Sequence, residues 1–424
     1  MAFAKGHSAP PQGNPLKLPA QGGPSTQEML LFKAALLALF LQGPSLRDWF
    51  KYIFKFIHLS SQFWAGFIMA ASLCGYWFFL RFWSTLKEGR IASLAASKWL
   101  ALGLFTAVLL TMLVVYPMAD ALKHQMAGSD QDDALILGAH DILAGTPYAS
   151  KTYFGNPQSG GPGWVLIAMP FSVTGAYRLF FPSLLAGLML ALKRRTGSWR
   201  TGNLFLVLAS TGLIFWDLTA VGSDMVAWGC AAALALMAVE AFARRGPIHL
   251  AWLAVLLGCL ATARLVFMPF SLLAGLFLYR RGAFKQAWAL ALGGSAVTLL
   301  LHLGFFLWTE GRYAPLHLIK KGSGLLDIFP MWVLACAIAA GCAVLVIVYR
   351  LAKGGLDQWM LAAWVAIGLP LALISLLDLV NRRFDLALWE GANYLGPAMP
   401  FLLCWLAWEE HGSLSLNEGY NHSY

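Results

Sequence analysis

Charge is what this sequence has least of. Only 12% of its 424 residues are Asp, Glu, Lys or Arg, against about a quarter in an ordinary soluble domain. Apolar types make up 59% of the chain and the mean hydropathy is +0.65. A water-soluble fold has too little interior to hide that much apolar surface, so a soluble globular domain is excluded. The charges that exist gather between apolar runs, and a run of about 18 or more apolar residues is what a helix needs to cross a bilayer.

Cysteine patterning is also missing. The six cysteines (Cys74, Cys230, Cys259, Cys336, Cys342, Cys404) all fall inside apolar stretches with no CxxC spacing. That excludes a disulfide framework and a cysteine metal site, and leaves small buried side chains. Residues 1–27, rich in Pro, Gly and Gln, lack the charged, apolar and small-residue order of a cleavable signal. They read as a disordered cytoplasmic tail. The net charge of +10 could serve nucleic acid, but Lys and Arg cluster between apolar segments, as the positive-inside rule requires. The basic excess is therefore read as topology, with no nucleic-acid partner.

Twelve apolar segments follow one another: Glu28–Leu41, Phe63–Leu80, Trp99–Tyr116, Trp164–Leu192, Leu204–Leu218, Met225–Ala243, Leu250–Ala263, Leu265–Leu278, Ala287–Trp308, Met331–Tyr349, Trp359–Leu379 and Tyr394–Trp408. The expected fold is all-α, a polytopic membrane protein of about 12 transmembrane helices. Basic clusters at Arg81–Arg90, Lys193–Arg200, Arg244 and Arg245, Arg280–Lys285 and Arg350–Lys353 each follow an even-numbered segment, so all five can face the cytoplasm together with both termini. The first segment is short and contains Lys33; it could instead lie in the interface with the amphipathic stretch Asp48–Leu59. The fourth is longer than one span needs and contains Pro170 and Pro182, so Trp164–Phe171 reads as a shallow or re-entrant helix preceding the true crossing.

The outer face then carries a polar loop, residues 120–162, containing GSDQDDALILGAHDILAGTPY. A helix over Gln131–Ala144 fits, with Ser129 or Asp130 as N-cap and Asp132 and Asp133 in the first turn. Leu135, Gly138, Ala139, Ile142 and Leu143 share one side, and Asp133, His140 and Asp141 the other. Gly145 and Pro147 stop it. Two readings of the aspartates stand side by side: they cap and solvate this juxtamembrane amphipathic helix, or they do chemistry.

That stretch, followed by a GNP turn, an apolar segment ending in Pro170 and the FPSLLAGLMLALKRR crossing, resembles the GT-C superfamily of membrane glycosyltransferases. The nearest likeness is to polyprenyl-phosphate-sugar-dependent mannosyl- and arabinofuranosyltransferases of glycosyltransferase family 87. It extends more weakly over Trp99–Trp408, through SDMVAWGCAAALAL and ATARLVFMPFSLLAGLFLYRRG. The resemblance implies a GT-C-like core over 98–410, with 28–97 as an additional N-terminal transmembrane pair and 411–424 as a cytoplasmic tail. The acidic loop follows the third segment rather than the first, and no large C-terminal soluble domain is present in the sequence.

The implied reaction is an inverting transfer from a polyprenyl-phosphate-linked sugar donor to a glycan or lipid acceptor, on the periplasmic face of a bacterial inner membrane. An outer-loop carboxylate takes the acceptor's proton: Asp132 first, Asp130 and Asp133 as alternates. Cations would hold the leaving phosphate, and Lys151, Arg264, Arg312, His317, Lys320, Lys321, Arg382 and Arg383 are the outer candidates. Arg264 interrupts an apolar run, where a lone charge is costly; snorkelling to the interface is its alternative explanation. Asp224, Tyr148, Tyr153, Asn156, His317 and Tyr394 complete the expected lining. His140 and His317 form no metal-ligand spacing, and some GT-C enzymes use a divalent cation while others need none. The competing functions are a transporter or lipid flippase and a non-catalytic membrane assembly subunit.

The basic clusters carry a topology test. Ser159→Cys should react with a membrane-impermeant maleimide added outside, and Ser198→Cys should not. The opposite pattern would invert every face assigned above.

Overall fold

A computed structural model of the chain describes residues 25–53, 61–86, 88–125, 129–310, 313–316 and 331–421. Arg312, His317, Lys320, Lys321 and the N-terminal tail up to residue 24 lie outside the described residues. Among these the architecture is all-helical, and the only strand-like pairing is one antiparallel bridge between Lys151 and Pro157. The longer helices are numbered α1 (Thr26–Ile53), α2 (Gln62–Thr85), α3 (Lys98–Gln125), α4 (Asp133–Leu143), α5 (Pro162–Val173), α6 (Phe180–Thr196), α7 (Trp199–Thr211), α8 (Leu213–Ala220), α9 (Asp224–Phe242), α10 (Pro247–Ala261), α11 (Phe270–Arg280), α12 (Phe284–Trp308), α13 (Met331–Leu351), α14 (Leu356–Asn381) and α15 (Met399–Asn421).

Six of them, α1, α2, α3, α9, α12 and α14, are long and apolar enough to cross a membrane. The count rises to eight if two bent pairs each make one span, α5 with Tyr177–Thr196 at 117° and α7 with α8 at 85°. Such a set of helices fits a multi-pass membrane protein. The 117° bend agrees with the division of the fourth apolar segment into two parts. The fifth segment, read as one run, is instead broken at Gly212, where α1 passes close: a Cβ there would lie 3.5 Å from the Leu41 carbonyl oxygen, and the Ser45 hydroxyl caps the broken end by accepting from Ile214 N–H.

The first apolar segment does not stop at Leu41. Helix α1 runs on to Ile53 through alternating α and π turns. Lys33, the residue that weakens this segment in the sequence, is buried and donates to Glu410 at 2.9 Å, with Glu409 at 3.4 Å. An ammonium in an apolar interior persists only with such a partner. Gln42 donates to Tyr76 in α2 and to the Thr211 carbonyl, so the N-terminal pair is woven into the helices that follow it.

Elsewhere the helices approach through missing side chains. A Cβ at Gly258 in α10 would come within 2.6 Å of Val297 Cβ and 2.7 Å of the Gly294 carbonyl oxygen in α12. Small residues at helix crossings let backbones close on each other where lipid supplies no hydrophobic drive between helices. Gly258→Ala should therefore lower the melting temperature of the purified protein, corresponding to about 1 to 3 kcal/mol of overpacking. Gly304→Ala, where a Cβ meets nothing within 4 Å, should leave it unchanged or raise it slightly; equal effects would show that these crossings are not close-packed.

Candidate functional site

Helix α4 begins at Asp133, two residues later than the sequence suggests, and ends at Leu143. Its N-cap residue is Asp132, whose side chain makes no capping bond; the expected caps behave otherwise too. Ser129 accepts from Gln131 N–H, and Asp130 turns to the loop beyond α4, accepting from Thr152 at 2.5 Å and from Asn156 at 3.3 Å. The apolar side keeps Leu135, Gly138 and Ala139 buried as expected, with two departures. Leu143 is 63% exposed, whereas Asp141, placed on the polar side, is buried under hydrogen bonds from Ser150 N–H, the Ser150 hydroxyl and Gln158 Nε2.

The carboxylate freed from capping faces the end of α3. Asp132 is 1% exposed; its Oδ2 accepts from the Tyr116 hydroxyl at 2.5 Å and its Oδ1 from Lys123 Nζ at 2.8 Å. Lys123 is a hub, because the same ammonium reaches Asp133 Oδ1 at 2.8 Å and Asp120 Oδ1 at 2.5 Å. Asp133 Oδ2 accepts from Tyr153 N–H at 2.7 Å. The turn at residues 151–157, closed by Gly155 at φ 81° and by the Lys151 to Pro157 bridge, is thus latched to both flanking aspartates. Burial pushes the Asp132 carboxyl up to about 6, against the hydrogen bonds of Lys123 and Tyr116, which pull it down.

Asp224 opens α9 and is likewise buried. Its Oδ2 accepts from Trp164 Nε1 at 2.8 Å, and both its oxygens face Arg264 Nη2, at 3.0 and 3.2 Å. Arg264 also donates to the Ala263 carbonyl. This pairing explains the cation within an apolar run without snorkelling. The segment between the aspartate loop and α5 is fixed beside it: Gly161 N–H donates to Ala263, and a Cβ on Gly161 would lie 1.6 Å from the Thr262 carbonyl oxygen.

One contact joins the two acidic centres. The Tyr116 ring that serves Asp132 packs on Gly222, where a Cβ would sit 2.4 Å from Tyr116 Cε2. Gly222 stands two residues before Asp224 at φ 66°, and its carbonyl accepts from Tyr177. The charges of Asp132, Asp224 and Arg264 all reach Tyr177. Asp132, Asp224 and Arg264, far apart in sequence, therefore belong to one connected network.

The other expected residues scatter. Tyr148 is buried at φ 61° and donates to the Gly160 carbonyl. Tyr394 lies within electrostatic reach of Arg264 and Arg382. Arg382 is engaged by Asp378 and Glu390, at 3.7 and 3.3 Å. Arg383 and Lys151 are exposed. Sequence reading missed Lys123, Tyr116, Tyr177 and Trp164, as well as a second buried cluster in which Arg47 reaches Asn393 and Asp217 while Asp48 lies alongside. Asp217 in LIFWDLTA bore the usable signal, a carboxylate inside an apolar run; for Lys123 the one local mark was Asp120, three residues before it.

Among the described residues, no group of three or more His, Cys, Asp or Glu side chains is placed to hold a metal ion. The Lys123 ammonium fills the space between Asp120, Asp132 and Asp133, so this donor set fits an ammonium and not a divalent cation. No protein-family model, curated protein or solved structure matches the chain.

Arg264→Leu strands the buried Asp224 carboxylate, which should cost about 3 to 5 kcal/mol of stability. Adding Asp224→Asn should restore more than half of that loss, as read by melting temperature in a double-mutant cycle. Simple addition of the two effects would mean the pair is not coupled.

Proposed function

We propose that this chain is an inverting membrane glycosyltransferase that moves a sugar from a polyprenyl-phosphate-linked donor to a glycan or lipid acceptor, with Asp132 as general base. In this reading twelve apolar segments cross a bacterial inner membrane and the aspartate loop faces the periplasm. The observation that carries it is Asp132 itself. It stands at a helix start yet caps nothing, and fixed donors from α3 hold its carboxylate. Its acidity lies near neutrality, where a general base accepts and releases a proton most effectively.

Within the proposal each neighbour has work to do. Lys123 orients Asp132 and balances its charge. The Tyr116 hydroxyl on Oδ2 marks where an acceptor hydroxyl would bind, so the acceptor displaces it and hands its proton to that oxygen as the sugar's C1 is attacked. Asp130 and Asp133 hold the 151–157 turn over the site. Arg264 has one Nη on a carbonyl and the other on Asp224 and serves the leaving phosphate from its outer edge, assisted by Arg382 and Tyr394.

A lipid flippase is the second reading, favoured by the buried Arg47 and Asp217 pair, at 3.2 Å, beside the break between α7 and α8. Charged groups at broken helices are a feature of transporters. Proteoliposomes that move a fluorescent polyprenyl phosphate without releasing sugar, and stop doing so in Asp217→Asn, would place it first.

The decisive assay offers purified protein a panel of polyprenyl-phosphate sugars and follows released polyprenyl phosphate. Asp132→Asn should keep most of its thermal stability and lose about a hundredfold to ten-thousandfold in rate, roughly 3 to 5 kcal/mol of transition-state stabilisation. Since the base must be ionised, the parental rate should rise with pH and level off above about 6. Near-parental turnover in Asp132→Asn, Asp130→Asn and Asp133→Asn alike would end this mechanism.

A further inference from the structure

We propose that the opposite end of the helix bundle carries a binding site for a phosphate-bearing anion, set in a cavity between α9, α11 and α14. The cavity has a volume of about 520 Å³ and is lined by Glu240, Arg244, Arg280, Arg281, Lys353 and Trp359 among others. Asp224 and Glu240 are 16 residues apart in α9, or roughly 24 Å at 1.5 Å per residue. The site therefore touches nothing in the aspartate network and stands independently of the transfer chemistry.

Charge accounting makes the case. Among the described residues Glu240 is the only carboxylate in the lining, and it is already engaged by Arg195 and, at 3.6 Å, by Arg281. Arg281 is fixed further by two hydrogen bonds to the Gly354 carbonyl and by stacking on Trp359, 4.4 Å from the ring centre. Three cations remain. Arg244 donates only to the Arg281 carbonyl, and Arg280 lies 4.0 Å over the Tyr349 ring and donates to its hydroxyl. Arg280 Nε is buried with no acceptor. None of Arg244, Arg280 and Lys353 has a carboxylate within ion-pair distance among the described residues.

Three unneutralised cations around a concavity repel one another and are costly to hold together unless an anion joins them. Topology alone calls for Lys and Arg on this face. It does not call for their convergence on one cavity with an aromatic floor, nor for a buried guanidinium N–H lacking an acceptor. Guanidinium groups match phosphate oxygens in geometry and charge, and the volume suits a head group better than a single small ion. Exposed Tyr279, Phe284 and Tyr349 surround the same helix ends, as aromatic side chains do at a membrane surface. Basic pockets between helices at that level take anionic lipid head groups, while a soluble phosphate presents the same chemistry.

The test uses the purified full chain, stripped of lipid in detergent, and follows melting temperature and retained ligand by native mass spectrometry. One arm adds phosphatidylglycerol, a second phosphatidylcholine and a third inorganic phosphate. Phosphatidylglycerol should bind and stabilise at least tenfold more effectively than phosphatidylcholine, and Arg244→Gln/Arg280→Gln should remove most of that preference. A response to inorganic phosphate alone, equally lost in the double variant, would identify a soluble ligand at the same site. Lys353→Gln, at an exposed position, supplies a milder variant that should weaken binding while leaving the fold intact. Lys193→Gln removes a basic residue outside the cavity and should change nothing. If it weakens binding as much as Lys353→Gln does, or if no variant alters binding of either ligand, the cations serve orientation only and the site does not exist.

Discussion

A charge inside an apolar bundle must find a partner there, and this requirement organises the molecule. Lys33 in α1 meets Glu410 in α15, Arg47 in α1 meets Asp217 in α8, Arg264 meets Asp224 in α9, and Lys123 at the end of α3 meets three aspartates. The first three pairs join residues 377, 170 and 40 positions apart. A helix that slid or rotated against its neighbours would leave a charge unpaired in low dielectric, at a cost of several kcal/mol. Apolar packing among Leu, Ala and Phe side chains tolerates many registers in lipid. The ion pairs tolerate one.

The same rule shows why the end of the bundle where α3 meets α4 is rich in chemistry-bearing groups. The unusual arrangement lies in ratio: one ammonium serves Asp120, Asp132 and Asp133, so the cluster as a whole stays acidic. At the other end the imbalance runs the opposite way, with Glu240 shared by Arg195 and Arg281 and further cations left over. The bundle is thus polarised along its axis.

Much of this was legible in the sequence. The apolar runs announced the helices, the two prolines announced the irregular fourth segment, and the cation at position 264 announced a buried partner. Length was misjudged where the local signal was weak: α1 continues past Leu41 because Arg47 and Asp48, polar in sequence, find partners or cover in the fold. On α4 the departures are Leu143 and Asp141, and Asp141 looks solvated until Ser150 and Gln158 fold over it. Lys123 was passed over for a plainer reason. Asp120 is its neighbour one turn back on α3, but Asp132 and Asp133 reach it only in the fold, and no periodicity encodes that approach.

Burial of Asp132 also sets folding against ionisation. An aspartate in an unfolded chain has an ordinary pKa of 3.8, and in the folded chain burial raises it to about 6. Between those values the folded state binds the proton more tightly, so the stability this group contributes is complete below about 3.8 and is drained away as pH climbs through 6. The chain is then held together least firmly, as far as this residue is concerned, when Asp132 carries its charge. The α3 donors Tyr116 and Lys123 limit that loss, which makes them struts for a carboxylate that the surrounding apolar matter would rather see neutral.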